Sequence, residues 1–280
     1  MELKPTVALI TGASSGIGEA FAWRLARKPD TRIILVARRE ERLRELAKRL
    51  PCEVTWVAAD VTESDTPGRL LAHVQEHHPP INLLVNNAGA AWRATFDEGG
   101  HENVRRTMEL NFDAVLKVTE TFLPMLRQTA PSAIVNIAST AGRVSRAGSG
   151  AYSASKYALI GWSDSLHLEE APNGVHVGLV LPGFIKTEGF PADELTSSLK
   201  TRWLVSDVRH VAEAIYEAGL QGKAERYVPR PYGLVAALKI LAPGLVRRVL
   251  SGGAGQLATT RTGADVAAEA ERNPDLNPTD

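Results

Sequence analysis

"TVALITGASSGIGEAF", residues 6–21, runs a short apolar segment straight into a glycine-rich turn. Val7, Ala8, Leu9 and Ile10 read as a short buried strand, and Gly12, Gly16 and Gly18 stand where a tight turn opens a helix beginning near Ile17. Each glycine removes a Cβ where the backbone bends sharply or another group approaches, and an isolated glycine otherwise weakens a helix start. A helix N-terminus offers unpaired N–H groups and the positive end of the helix dipole, which suit a phosphate. A nucleotide pyrophosphate is the natural guest. The spacing G-x-x-x-G-x-G differs from the commoner G-x-G-x-x-G fingerprint. A glycine-rich turn without a ligand is therefore the competing reading, and the rest of the chain must decide.

Downstream, short apolar runs alternate with helical stretches. "RIILVA" (32–37), a charged helix around "EERLRELAKRL", "EVTWVAAD" (53–60), a helix near 67–77 and "INLLVNNAG" (81–89) follow in turn. A long helix around 101–127 leads to "SAIVNIAST" (132–140), a helix over about 150–170, a sixth strand in "GVHVGLVLPG" (174–183) and a seventh in "ERYVP" (225–229). Such alternation implies right-handed βαβ crossovers, a parallel sheet and helices on both faces. The expectation is a single α/β domain with a doubly wound sheet over residues 1–230, an apolar helical extension over 231–251 and a disordered tail over 252–280, where burial is too small to offset ordering.

The composition narrows the partners. The 280 residues, 44% hydrophobic, supply a sizeable core. The 32 basic and 32 acidic residues cancel, so no global field draws in nucleic acid or an anionic membrane. Cys52 is the single cysteine, which rules out an internal disulfide and any cysteine-cluster metal site; no metal is expected. No basic segment followed by a long apolar run opens the chain, so a cytoplasmic protein is expected. Residues 232–250 are the most lipid-like, but Lys239, Pro243, Gly244, Arg247 and Arg248 interrupt them, which argues against a transmembrane span. Leu234, Leu238, Leu241, Leu245 and Val249 recur at helical spacing, and Pro243 and Gly244 break the run into two short helices. Packing within the protein or in an oligomer is the first expectation for this stripe, with a peripheral membrane contact through its basic side as the alternative.

Chemistry gathers at the strand ends, where open α/β sheets bind ligands. After the second strand stands "ARRE": Ala37 occupies the place of a ribose-binding acid, and Arg38 follows it, suited to a 2′-phosphate. Solvated charges at a helix entry would explain Arg38 and Arg39 equally. Asp60 and Val61 are placed to meet an adenine edge after the third strand. Further on, Ser139 sits at a strand end, and Tyr152 and Lys156 share one face of the next helix. An ammonium beside a phenol favours phenolate, so Lys156 is expected to lower the Tyr152 pKa. Such a tyrosine could protonate a carbonyl oxygen or take a proton from an alcohol, while Ser139 bonds the same oxygen.

These residues carry a resemblance. From about 5 to 230 the chain resembles the short-chain dehydrogenase/reductase family: "TGASSGIG", "NNAG", Asn111 in "ELNF", Ser139, "YSASK" and "PGFIKT" stand in the family's order and approximate spacing. The resemblance implies a Rossmann-like fold and Tyr152 as acid/base. It also implies that Lys156 binds the nicotinamide ribose, Ser139 orients the substrate oxygen and Asn111 supports a water-linked relay. Ser14, Ser15 and Ile17 would line the phosphate loop, and Asn86, Ala88 and Gly89 would approach the adenosine portion. Pro182, Gly183, Ile185 and Thr187 would contact the nicotinamide end. Arg38 matches NADP-preferring members, so NADP(H) is preferred and NAD(H) remains possible. A homo-oligomer, dimer or tetramer, is also implied.

The region 187–206 reads as a lid. Phe184, Phe190, Trp203, Leu204 and Trp92 could wall a pocket for an apolar carbonyl or secondary alcohol, or could simply pack the lid onto the core. Arg143 and Arg146 could greet an acidic substrate, or be solvated. The expected function is NADP(H)-dependent hydride transfer. Two alternatives stand beside it: a cofactor-retaining epimerase or dehydratase, and a non-catalytic NADP-sensing module.

Overall fold

The computed structural model describes residues 3–186 and 205–251. Its strands are β1 (Thr6–Thr11), β2 (Thr31–Ala37), β3 (Glu53–Ala58), β4 (Leu83–Asn86), β5 (Ser132–Ile137), β6 (Val175–Pro182), β7 (Phe184–Lys186), β8 (Val205–Asp207) and β9 (Glu225–Val228). Its helices are α1 (Gly16–Leu25), α2 (Glu40–Arg49), α3 (Thr66–His77), α4 (Phe96–Met108), α5 (Ala114–Gln128), α6 (Gly150–Glu170), α7 (Val208–Leu220), α8 (Tyr232–Leu241) and α9 (Pro243–Ser251).

Seven strands form one sheet in the order β3-β2-β1-β4-β5-β6-β9, with every neighbouring pair parallel. Strand β7 pairs with β8 in a separate two-stranded ribbon. Strand order reverses between β1 and β4, which makes the crevice beyond their carboxyl ends the natural ligand position. Alternate side chains of β1 serve opposite faces. Ala8 and Ile10 pack with Phe21 of α1, Leu43 of α2 and Ile215 of α7, whereas Val7 and Leu9 pack with Leu70 of α3 and Phe122 of α5. Burial on both faces is why the strands are apolar runs and not alternating ones.

A polar thread crosses this core. The Asn86 amide donates to Thr119 Oγ1 at 3.1 Å and to Asn136 Oδ1 at 2.8 Å, and the Asn136 amide donates to Ser163 Oγ at 2.8 Å. It ties β4, β5, α5 and α6 together, and a buried polar chain of this kind is tolerable because its members find partners.

The helix expected over 101–127 does begin there: a first turn, capped by Thr95 and Glu98 in a capping box, precedes it from Phe96, and Gly100 at φ +53° kinks the chain between the two. Between α4 and α5, Glu109–Asp113 forms a π turn in which the Ala114 N–H bonds to the Glu109 carbonyl. Such turns recur at functional sites, and this one carries Asn111. The chain breaks between α8 and α9 at Ala242, next to Pro243 as expected. The tail from 252, and Thr187, Phe190, Trp203 and Leu204, lie outside the described residues.

Candidate active site

The glycine turn and the start of α1 form the phosphate-sized end of the crevice. Gly12 has φ +64°, and a Cβ there would stand 2.8 Å from the Asn87 amide nitrogen. A Cβ at Gly18 would overlap the Gly12 carbonyl, so this glycine serves close packing of the helix on the turn. Ser15 precedes α1 without capping it through its side chain. The first N–H groups of α1 and their dipole are thus available to an anion. Thr11 Oγ1 receives the N–H groups of Asn87 and Ala88, both at 3.0 Å, and the Asn87 amide donates to the Thr11 carbonyl at 2.9 Å. These bonds clamp the end of β4 to the turn.

The arginine beside the turn is not the one the sequence points to. Arg38 faces Asp60 at 3.7 Å, whereas Arg39 reaches the turn, donating to Ser14 Oγ at 3.0 Å and Ser15 Oγ at 2.7 Å. Asp60 also accepts from the backbone and hydroxyl of Thr62 at 2.9 and 2.7 Å. Val61 is buried, and Ile17 and Ala88 are partly buried against the core.

Ser139, Tyr152 and Lys156 meet at the other end. Ser139 follows β5, where its hydroxyl caps the next short turn by accepting the Ala141 N–H at 3.1 Å and donates to the Pro182 carbonyl at 3.3 Å. Its hydroxyl also faces the Tyr152 phenol and favours its ionised form. The Lys156 ammonium is buried, donates to the Ile137 carbonyl at 2.8 Å and lies 5.8 Å from the centre of the Tyr152 ring. A Cβ on Gly89 would come within 2.9 Å of Asn111 Oδ1 and 3.5 Å of Lys156 Nζ, so the bare glycine leaves room at that junction. Asn111 accepts the Ala90 N–H at 2.9 Å and donates to the Ala90 carbonyl at 2.9 Å and to Ser155 Oγ at 3.0 Å. It therefore braces the loop after β4 against α6 one residue from Lys156.

Electrostatics correct the expectation for the phenol. Desolvation raises the Tyr152 pKa above its usual 10, opposed by the Ser139 hydroxyl and by the charges of Arg146 and Arg93. Burial pushes Lys156 down from 10.5 to about 8. Both groups are protonated at neutral pH, and Tyr152 is a neutral phenol rather than a lowered one.

The other residues singled out in the sequence have these partners within the protein. The Asn86 side chain is committed to the core thread, and its neighbour Asn87 is the residue on the turn. Ile185 is buried in the core, and Gly183 is covered by the Tyr232 ring, which stands 2.5 Å from where its Cβ would be. Trp92 is held against α4, with Arg106 5.0 Å over its ring and its carbonyl bonded to Asn103 at 3.2 Å. Arg143 is paired with Glu225 at 2.9 Å. Arg146 lies 4.4 Å over the Phe184 ring, and the bond from the Ala94 N–H to the Gly148 carbonyl at 3.1 Å draws the loops carrying Arg93 and Arg146 together. Arg39, Arg93 and Asn87 are missing from the sequence-based site. For Arg39 the signal was present in "ARRE", but which arginine folds back depends on where α2 begins.

A glycine turn thus opens a helix at the switch point, with a Ser–Tyr–Lys cluster across the crevice. Residues 6–196 match the short chain dehydrogenase family model. This chain belongs to that family. Among similar proteins, an uncharacterized oxidoreductase of Staphylococcus epidermidis is 33% identical, covering 78% of this chain and 92% of its own. Ketoacyl reductase HetN of Nostoc is 30% identical over 75% of this chain and 74% of its own. The 3-dehydrosphinganine reductase of Danio rerio is 27% identical over 87% and 77%. Family membership brings dehydrogenase/reductase chemistry, a nicotinamide cofactor and a small-molecule substrate. The residues present fit such a cofactor: the α1 N-terminus is open to a pyrophosphate, and Gly89 keeps space beside a buried ammonium.

Proposed function

We propose that the protein is an NADP(H)-dependent reductase of an apolar carbonyl compound, able to run in reverse on the secondary alcohol. The observation that carries this reading is Tyr152, a half-buried neutral phenol facing Ser139 with the Lys156 ammonium 5.8 Å from its ring centre. A phenol that holds its proton at neutral pH suits the acid role. When bound, the reduced nicotinamide supplies the hydride to the carbonyl carbon. Tyr152 Oη gives its proton to the carbonyl oxygen, and Ser139 Oγ bonds that oxygen as charge develops on it. Lys156 supplies positive charge beside the phenolate that remains. Asn111 acts indirectly, by holding the loop after β4 and Ser155 around Lys156.

Arg39 supports the phosphorylated cofactor, because a guanidinium laid over Ser14 and Ser15 suits a 2′-phosphate. Ala37 in place of an acid agrees with it. The names of the Nostoc and Danio rerio relatives specify ketoacyl and 3-dehydrosphinganine reduction, which supports reduction as the direction. Phe184 and Tyr232 supply an aromatic wall. Assembly into a homo-oligomer through α5 and α6 is supported by Leu168, which α6 leaves exposed.

The test is NADPH oxidation against a panel of aldehydes, ketones, quinones and ketosteroids, with NADH and the Tyr152→Phe variant in parallel. Turnover that prefers NADPH and collapses in the variant is expected. Equal turnover by the variant overturns the role of Tyr152, and equal use of NADH overturns the cofactor preference.

A further inference from the structure

Helices α8 and α9 hold their large aliphatic side chains outward. Leu234, Leu238, Ile240, Leu241, Leu245 and Val249 are between 43% and 83% exposed, and within the pair only Ala236 and Val246 are buried. Leu234, Leu238 and Leu241 share one face of α8 at helical spacing, and Leu245 and Val249 repeat the spacing on α9. An ordinary monomer seldom leaves so many neighbouring aliphatics in water. The charge pattern is equally one-sided. From Tyr232 to Ser251 the charged residues are Lys239, Arg247 and Arg248, with no Asp or Glu.

We propose that α8 and α9 dock in the plane of a lipid surface bearing anionic headgroups. Aliphatic side chains without acidic neighbours, flanked by cations, are the composition of an interfacial helix. Neither helix is long enough to span: among the described residues, no helix is long and apolar enough to cross a membrane. A symmetric contact between two copies of this pair would instead bring Lys239, Arg247 and Arg248 of both copies together with no carboxylate from the pair to meet them. The chain's own tail is a poor cover, because residues 252–280 contain only Leu257, Val266 and Leu276 as large aliphatics. The zero net charge of the whole chain does not oppose docking, since attraction to a surface falls off within a Debye length and reads the local charges.

The position of the pair gives docking a consequence. Tyr232, the first residue of α8, packs on Gly183 immediately before Phe184, on the aromatic side of the catalytic cleft. A docked α8 holds that wall close to the bilayer, from which an amphiphilic substrate can enter. This consequence rests on the reductase reading; docking itself does not.

The experiment is flotation of the full-length protein with vesicles of phosphatidylcholine alone and of phosphatidylcholine with phosphatidylglycerol. The expected result is co-flotation with the anionic vesicles that weakens as salt rises, and little with the neutral ones. Two variants, Leu234→Ser/Ile240→Ser/Leu241→Ser and Lys239→Glu/Arg247→Glu/Arg248→Glu, should each abolish it while circular dichroism stays that of the parent. Failure to float with either vesicle overturns the proposal. So does a concentration-dependent dimer that the serine variant dissolves, which assigns the face to a second copy. Flotation seen only after residues 252–280 are deleted assigns it to the tail. None of these readouts involves turnover, so a failed reductase assay leaves the docking result intact.

Discussion

Helix α6 and the α8–α9 pair invert the usual placement of side chains in opposite ways. Helix α6 buries a lysine, a glutamate and three serines, whereas the pair exposes six large aliphatics. On α6 the inversion is matched by partners for every one of these side chains except Ser153, whose hydroxyl has none among the described residues. Lys156 bonds Ile137, Ser155 bonds Asn111 and Tyr152, Ser163 bonds Asn136, and Glu170 takes two bonds from Arg127. Buried polar groups persist where hydrogen bonds answer them; those nearest Tyr152 hold its site. Among the described residues nothing answers the aliphatics of α8 and α9, and the proposed lipid surface is what would cover them. One helix is organised around internal chemistry and the other around an external surface.

The largest effect should come from breaking the chemistry of α6. Tyr152→Phe removes the transferable proton and leaves the ring, and should lower kcat by about a hundred- to ten-thousand-fold. Thermal unfolding should change little. A variant that loses stability in proportion to activity would show that the hydroxyl serves folding.

The next effect reads the burial of Lys156. Its pKa falls to about 8 in the folded chain from 10.5. Between those values the unfolded state binds more protons, so stability rises with pH there; below about 8 both states are protonated and the penalty is constant. The unfolding free energy of the parent relative to Lys156→Met should therefore rise by about 3 kcal/mol from pH 8 to 10.5. A flat difference in denaturant titrations across that window would mean the ammonium is hydrated.

At the other end of the crevice, Arg39→Ala should weaken NADPH binding by about ten- to a hundred-fold, the loss of charged hydrogen bonds. NADH binding, followed by nicotinamide fluorescence, should barely move. Arg38→Ala should have the smaller effect because Arg38 faces Asp60. The reverse ranking would restore the reading the sequence favours.

That reversal shows where legibility ends. The parallel strands, the glycine turn and the Ser139, Tyr152 and Lys156 positions could be read because they follow from apolar runs, backbone sterics and helical spacing, which are local. Arg39 could not be separated from Arg38, nor Asn87 from Asn86, because one residue along a strand end turns a side chain to the other face. The raised Tyr152 pKa was hidden for a different reason. Spacing places an ammonium nearby, but desolvation depends on everything packed around the phenol. The stripe at 232–250 was legible as a stripe. What escaped was that its aliphatic face points outward, since periodicity fixes which residues share a face and says nothing of what that face meets.

The smallest effect is the sharpest test of the comparison. Leu159 on α6 is fully buried and Leu241 on α8 is 83% exposed. Truncating the buried one, Leu159→Ala, should cost about 2–5 kcal/mol. Leu241→Ser should change the unfolding free energy by no more than about 0.5 kcal/mol, because it removes side chain that water already surrounds. If it instead destabilises the dilute protein by as much as Leu159→Ala, then Leu241 is covered in solution by the protein itself, and α8 is part of its core. If it leaves stability unchanged yet reduces binding to anionic vesicles, the aliphatic face is kept for a surface outside the chain, and the two helices differ in purpose as they do in placement.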